Sequence, residues 1–332
     1  MKIDASSSLD YAEISQVVRI YYGEPSEETE SYYEKIESRV LQKGAPKHYR
    51  GLGISYLKSL GEYVFENLIP NEIKRAIKSI PKDSTLFLEL NDGSELIPWE
   101  YMYTGDSFLS LSYVIGRINK GAQAQPPRGG NRYFQMLIVA DPTGDLPGTQ
   151  RETNYIINQL RGSKIKITRY GAEIRKRQYL SLLESGKFDL IHYSGHSESS
   201  MESGKSHHWF WDGPLYGEEI ESRSSAKMPK LVFCNSCQSG ESSISKEMTG
   251  NTSLASSYLK AGAESSIGSI WSVSDRGSAD ISADVYRYLL FGSTVGEALL
   301  RAKRSSYKRW GFHDPVWLSF ILFGDPRMRL VG

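Results

Sequence analysis

The chain has 332 residues, enough for about two domains at roughly 150 residues each, and 39% hydrophobic with 24% charged residues predicts a packed core, not a disordered chain. Its 40 Lys and Arg against 39 Asp and Glu give a net charge of +1, without the basic excess that electrostatic nucleic-acid binding requires. No apolar run approaches the roughly 18 residues of a membrane span, the start Met1-Lys2-Ile3-Asp4-Ala5 has no signal-peptide stretch, and two cysteines exclude a disulfide-stapled secreted scaffold, so the expectation is a soluble, cytoplasmic α/β protein with no membrane or direct nucleic-acid partner.

In chain order, Tyr11 to Tyr22 reads as a strand, and Ser26-Glu27-Glu28 starts a helix with acidic residues at its positive end. Leu57, Leu60, Val64 and Leu68 recur at helical spacing, predicting helix across Leu52 to Ile80 with an interruption at Pro70. Leu86 to Leu90 is strand-like and Asn91-Asp92-Gly93 is a turn. Lys120 to Asn131 carries Pro126-Pro127, Gly129-Gly130 and almost no apolar residue, so it reads as a linker. The expected organisation is an N-terminal α/β region over 1–120, a linker over 121–131 and a second domain over 132–332.

Beyond the linker the elements alternate. Phe134 to Ala140 is a strand, Thr149 to Leu160 a helix, Lys164 to Tyr170 a strand, Glu173 to Glu184 a helix and Phe188 to Tyr193 a strand. Trp209 to Leu215 resembles a hairpin, with His207-His208 before it read as solvated. Leu231 to Cys234 is a buried strand, Ser253 to Leu259 a helix and Ser266 to Val273 a strand; two helices follow within Ala279 to Lys308, and Leu318 to Phe323 is the last strand. That alternation predicts a mostly parallel sheet with helices on both faces.

In open α/β sheets, function sits at the carboxyl ends of strands. Two such ends carry chemistry here: Ser194-Gly195-His196 and Asn235-Ser236-Cys237-Gln238-Ser239-Gly240. Neighbouring parallel strands would bring His196 and Cys237 together as a nucleophilic pair, because a thiol needs a nearby base or imidazolium to become thiolate at neutral pH. The backbone N–H groups of Ser197 and Cys237 are the natural oxyanion donors. The plainer alternative is a cysteine buried as a small hydrophobe and a histidine serving as a satisfied polar group.

Ile191-His192-Tyr193-Ser194-Gly195-His196 together with Leu231 to Gly240 resembles the paired signature of the CHAT family, caspase-like cysteine peptidases of the clan that includes caspases, metacaspases, separase and clostripain. Ala140 to Gly148 with Glu152, Ala261-Gly262-Ala263 to Val273, Leu322-Phe323-Gly324-Asp325-Pro326 and Ile97-Pro98-Trp99-Glu100 fit the same family, so the resemblance runs from about residue 85 to the C-terminus. It implies a caspase-like sheet flanked by helices, preceded by a smaller α/β region that resembles the degenerate caspase-like half of some relatives or is simply an extra helical and β layer. It also implies a peptidase with His196 as catalytic histidine and Cys237 as nucleophile, needing no metal or organic cofactor. His192 and Cys234, inside strands, are structural. The family pattern has Gly after the catalytic histidine; Ser197 stands there in this chain.

The implied substrate is a protein or peptide. The resemblance further implies an effector of prokaryotic defence or regulated death, controlled by a regulatory partner or upstream sensor, with the polar stretch Gly240 to Asn251 as a segment a partner could order. Asn235, Asp141, Asp145, Trp271 and Asp275 are the candidate substrate-binding residues, and their acidic members predict cleavage after a basic residue. Arg276 beside Asp275 opposes that sign. Two other classes stay open: an inactive caspase-fold interaction module, and either a Cys2His2 zinc site built from His192, His196, Cys234 and Cys237 or a thioredoxin-like dithiol of Cys234 and Cys237.

Overall fold

The structure, a computed structural model, describes residues 2–4, 18–21, 54–90, 99–119, 133–200, 205–223, 228–236, 254–269 and 275–330. The linker expected at 121–131, the helix expected from Ser26 and the polar stretch Gly240 to Asn251 lie outside the described residues.

The helices begin and end where local chemistry directs. Pro70, which has no N–H to continue a helical ladder, separates α1 (Ile54–Leu68) from α2 (Asn71–Ser79). Pro147 opens α3 (Pro147–Gln159), and α4 (Lys176–Glu184) and α5 (Asp275–Leu290) follow. α6 (Val295–Trp310) begins with a capping box: the Glu297 N–H donates to Thr294 Oγ1 at 3.2 Å, and the Thr294 N–H donates back to the Glu297 carboxylate at 2.9 Å. It ends at Gly311, whose φ of 57° suits glycine.

Among the described residues, ten strands make one sheet. They are β1 (Lys2–Asp4), β2 (Val18–Tyr21), β3 (Thr85–Leu90), β4 (Val114–Asn119), β5 (Phe134–Ala140), β6 (Ile165–Tyr170), β7 (Leu190–Gly195), β11 (Leu231–Ser236), β12 (Ser265–Ser269) and β13 (Phe320–Gly324). Their order is β1-β2-β3-β4-β13-β12-β11-β7-β5-β6, and every neighbouring pair is parallel except β1–β2 and β12–β13. β13 joins β4 through the Phe323–Arg117 pair, so strands from before and after the 121–131 segment share one sheet. β4 is a strand that the sequence pattern did not single out. β8 (Ser197–Ser200), β9 (Lys205–Phe210) and β10 (Gly213–Tyr216) form a separate antiparallel sheet, where only a hairpin had been expected.

Alternation along the strands divides the core. Met136, Ile138, Leu190, Leu231 and Phe233 pack with residues of α3, α5 and α6, whereas Leu137, Val139, Ile191, Tyr193, Val232 and Cys234 pack with α4 and the small sheet. A third cluster seats α1 and α2 against β3 and β4. Among the described residues, no helix is long and apolar enough to cross a membrane.

Candidate active site

Because β5, β7, β11 and β12 are parallel neighbours, their carboxyl ends share one edge of the sheet. The segments leaving that edge carry Asp141 and Asp145 after β5, His196 after β7, Cys237 after β11 and Trp271 after β12. β7 and β11 each run two residues further than their apolar runs: Asn235 pairs with Ser194, and Ser236 with Gly195. The next residues in the two sequences are His196 and Cys237; Cys237 and Trp271 lie outside the described residues.

His196 sits on a built support. Its carbonyl accepts hydrogen bonds from the Tyr193 hydroxyl and the Trp209 N–H, both at 3.0 Å. Its Nε2 lies 3.2 Å from Asp145 Oδ1, on a residue 9% exposed. The loop bringing Asp145 there is shaped by Asp141. Asp141 adopts a left-handed φ of 55°, and its Oδ1 accepts from the N–H groups of Gly144 at 2.8 Å and Asp145 at 3.0 Å. The Asp141 N–H donates to Ser194 O at 2.8 Å, binding the loop to the end of β7. Gly195 permits this approach, since a Cβ there would stand 2.9 Å from Pro142 Cδ and 2.7 Å from the Tyr193 hydroxyl. The Thr143 hydroxyl donates to Asp145, and with the neighbouring His196 this holds the Asp145 carboxyl below its usual range against the opposing pull of desolvation.

Beneath the strand ends, on the α3 face, lies a buried polar cluster around Glu152. Its Oε2 accepts from the Ser194 hydroxyl at 2.6 Å, and its Oε1 accepts from Asn235 Nδ2 and lies 3.2 Å from His192 Nε2. His192 Nδ1 meets the Tyr286 hydroxyl at 2.8 Å. All five residues are buried. One carboxylate from α3 thus ties together the residues two positions before His196 and two before Cys237.

The opposite face holds a different set. His208 of β9 is fully buried between Ser197 Oγ, 2.7 Å from its Nδ1, and Cys234 Sγ, 3.9 Å from its Nε2. Burial pushes His208 down to about 3, so it is neutral at pH 7. Burial also drives the Cys234 thiol well above its usual value, which makes it inert. The Trp209 N–H to His196 O bond makes Ser197 and His208 a non-hydrogen-bonded cross-strand pair, so the Ser197 N–H is directed away from β9 while its hydroxyl turns into the core.

Several expectations change on this geometry. Asn235 does not offer its side chain to a pocket: it is 4% exposed and donates to Glu152. Asp141 is spent on its own loop, and Asp145 pairs with His196 instead of lining a separate specificity pocket. His207 and His208 are buried, not solvated. The zinc reading loses His192 and Cys234 as joint ligands, because they face opposite sides of the sheet and both ring nitrogens of His192 are engaged; the dithiol reading turns on Cys237, which lies outside the described residues. Among the described residues no cluster of His, Cys, Asp or Glu is arranged to hold a metal. Asp275 begins α5, and Arg276 stacks on Trp310 with its guanidinium 4.9 Å from the ring centre. The roles of Glu152 and His208 were not anticipated. The available signal was polarity inside an apolar pattern: Glu152 shares the buried stripe of α3 with Thr149, Thr153 and Ile156.

A family model described as the CHAT domain matches residues 57–325. No curated protein matches the chain. The crystal structure of the Arg-specific cysteine proteinase gingipain R (RgpB) superposes with a TM-score of 0.57 at 12% identity, covering 98% of this chain and 80% of that one. The separase of the Saccharomyces cerevisiae separase–securin complex aligns with a TM-score of 0.45 at 16% identity, covering 91% of this chain and 20% of that one. The fold is therefore that of a caspase-like cysteine proteinase, and with most of its length matched by the family model, the chain belongs to the CHAT family.

Proposed function

We propose that the chain is a cysteine endopeptidase acting through Cys237 and His196. The observation that carries this reading is the parallel β7–β11 register, which stops at Ser236–Gly195, one step short of Cys237 and His196, with Asp145 already on the histidine. Cys237 and His196 are the next residues in the two sequences, and in this reading the thiol works beside that imidazole.

In this mechanism the Cys237 thiolate attacks the peptide carbonyl carbon. The oxyanion is met by the N–H groups of Cys237 and Ser197, the latter directed away from the β8–β9 ladder. With the His196 Nε2–H donated to Asp145, proton traffic falls to Nδ1, which protonates the leaving amine. The acyl-enzyme is then hydrolysed by a water that gives its proton to the same nitrogen, and Cys237 leaves as thiolate.

In this reading Asp275, the first residue of α5, is the acid that favours cleavage after a basic residue, and Arg276, the residue that opposed this sign, is turned onto Trp310. Gingipain R, described as Arg-specific, is consistent with that preference. Trp211, 64% exposed at the β9–β10 turn and close to Gly144 of the Asp145 loop, adds an apolar wall beside the substrate path. Control by a regulatory protein in a prokaryotic defence or cell-death setting rests on the resemblance to CHAT effectors. Profiling cleavage of a peptide library by the wild type and by Asp275→Ala tests the specificity: a basic preference lost in the variant supports it, and strong Asp selection contradicts it.

A further inference from the structure

The Glu100 that follows Pro98-Trp99 takes no part in the site above. Its carboxylate is paired twice with Arg117 of β4, through Nε at 3.2 Å and through one terminal nitrogen, and both residues are buried. Beside this pair stands Lys303. It lies on α6 at helical spacing from Gly296, Leu299 and Leu300, so a lysine occupies the stripe that faces the core. It is 4% exposed, and no described carboxylate forms an ion pair with it.

Two buried cations therefore share one buried carboxylate, which Arg117 already engages on both oxygens. Burial pulls Lys303 down to about 8, with Glu100 raising and Arg117 lowering it, so the ammonium is still charged at pH 7. A small cavity opens between Glu100, Ser110, Lys303 and Leu322, on the seam where α6 meets the segment leading into β4. Ser110 is 2% exposed, lines this cavity, and its hydroxyl has no hydrogen-bond partner among the described residues. A buried hydroxyl donor and a buried ammonium thus face one space that takes a single particle about the size of a water or a monatomic ion. Phosphate or a carboxylate ligand does not fit there.

We propose that this cavity binds one chloride ion, held by Lys303 and Ser110, which supplies the counter-charge the protein does not and fastens α6 to the Glu100–Ser110 segment. Water meets the geometry but not the charge, and an uncompensated buried ammonium is costly. The full chain melted in sodium chloride and in sodium gluconate at matched ionic strength should show a Tm about 2–4 °C higher in chloride, as expected for an anion at roughly ten times its Kd. Lys303→Met should erase that difference, and Ser110→Ala should shrink it. Methionine is a suitable replacement because apolar substitution of buried charge is commonly tolerated. Should the variant nevertheless fail to fold, crystals of the wild type grown with bromide decide the matter: an anomalous peak in hydrogen-bond range of Lys303 Nζ and Ser110 Oγ supports the site. Density there without anomalous signal, or an equal chloride shift in folded Lys303→Met, overturns it.

Discussion

On one face of strands β7 and β11, Glu152 gathers Ser194, His192 and Asn235 into a hydrogen-bonded cluster. On the other face His208 stands between Ser197 and Cys234. Each face holds a histidine, so residue type alone does not mark the reactive group. Period-two alternation sends His192 to one core and Cys234 to the other, where burial removes their chemistry. Only at the strand ends, where alternation stops, does a histidine reach the site edge. The two faces then have separate tasks: the Glu152 face aligns the strands, and the His208 face fixes the turn after His196.

The sharpest break in this comparison separates the strand end from the strand interior. Cys237→Ala should lower kcat/KM by about 10⁴-fold or more with Tm unchanged, measured on a cleavable peptide. On the aligning face, Glu152→Ala leaves His192 and Asn235 buried without their acceptor. It should cost about 3 kcal/mol in chemical denaturation and reduce turnover with it.

On the opposite face the test is pH. His208 has a folded pKa of about 3, far below that of an unfolded histidine, so between those values the unfolded state binds more protons and stability falls as pH falls. Wild type should lose about 2 kcal/mol from this group between pH 6.5 and 5. His208→Gln should lose that much less over the same range in urea titrations; an identical slope would remove His208 from the account.

Asp145 connects the comparison to catalysis. Its carboxylate is exposed, so Asp145→Asn should leave Tm within about a degree, lower kcat about tenfold and hold KM. The smallest effect belongs to Cys234→Ala: turnover intact and about 1 kcal/mol of stability lost to the small cavity. An inactive Cys234 variant with native melting would mean that the nucleophile has been assigned to the wrong cysteine.

Much of the sheet was legible because stretches such as Met136 to Ala140 and Leu231 to Cys234 are continuous apolar runs, and His196 was legible because it closely follows a strand. β4 was not: Val114-Ile115-Gly116-Arg117 carries an arginine whose charge is met by Glu100, a partner that local pattern does not reveal. Asn235 and Asp141 were misplaced for the same reason. Their polarity suits a binding pocket, but it is satisfied internally by a helix carboxylate and by a turn. His207-His208 looked solvated until β8 and β10 covered both sides of β9. In each case a long-range contact decides the use of a polar side chain, whereas periodicity reports only which face it occupies.

The central claim is that the site at this sheet edge cleaves peptides through Cys237. Incubating one peptide library with wild type and with Cys237→Ala, and reading the new termini by mass spectrometry, tests it most directly. The account predicts cleavage by the wild type, after basic residues, and none by the variant. Equal cleavage by both proteins would contradict it.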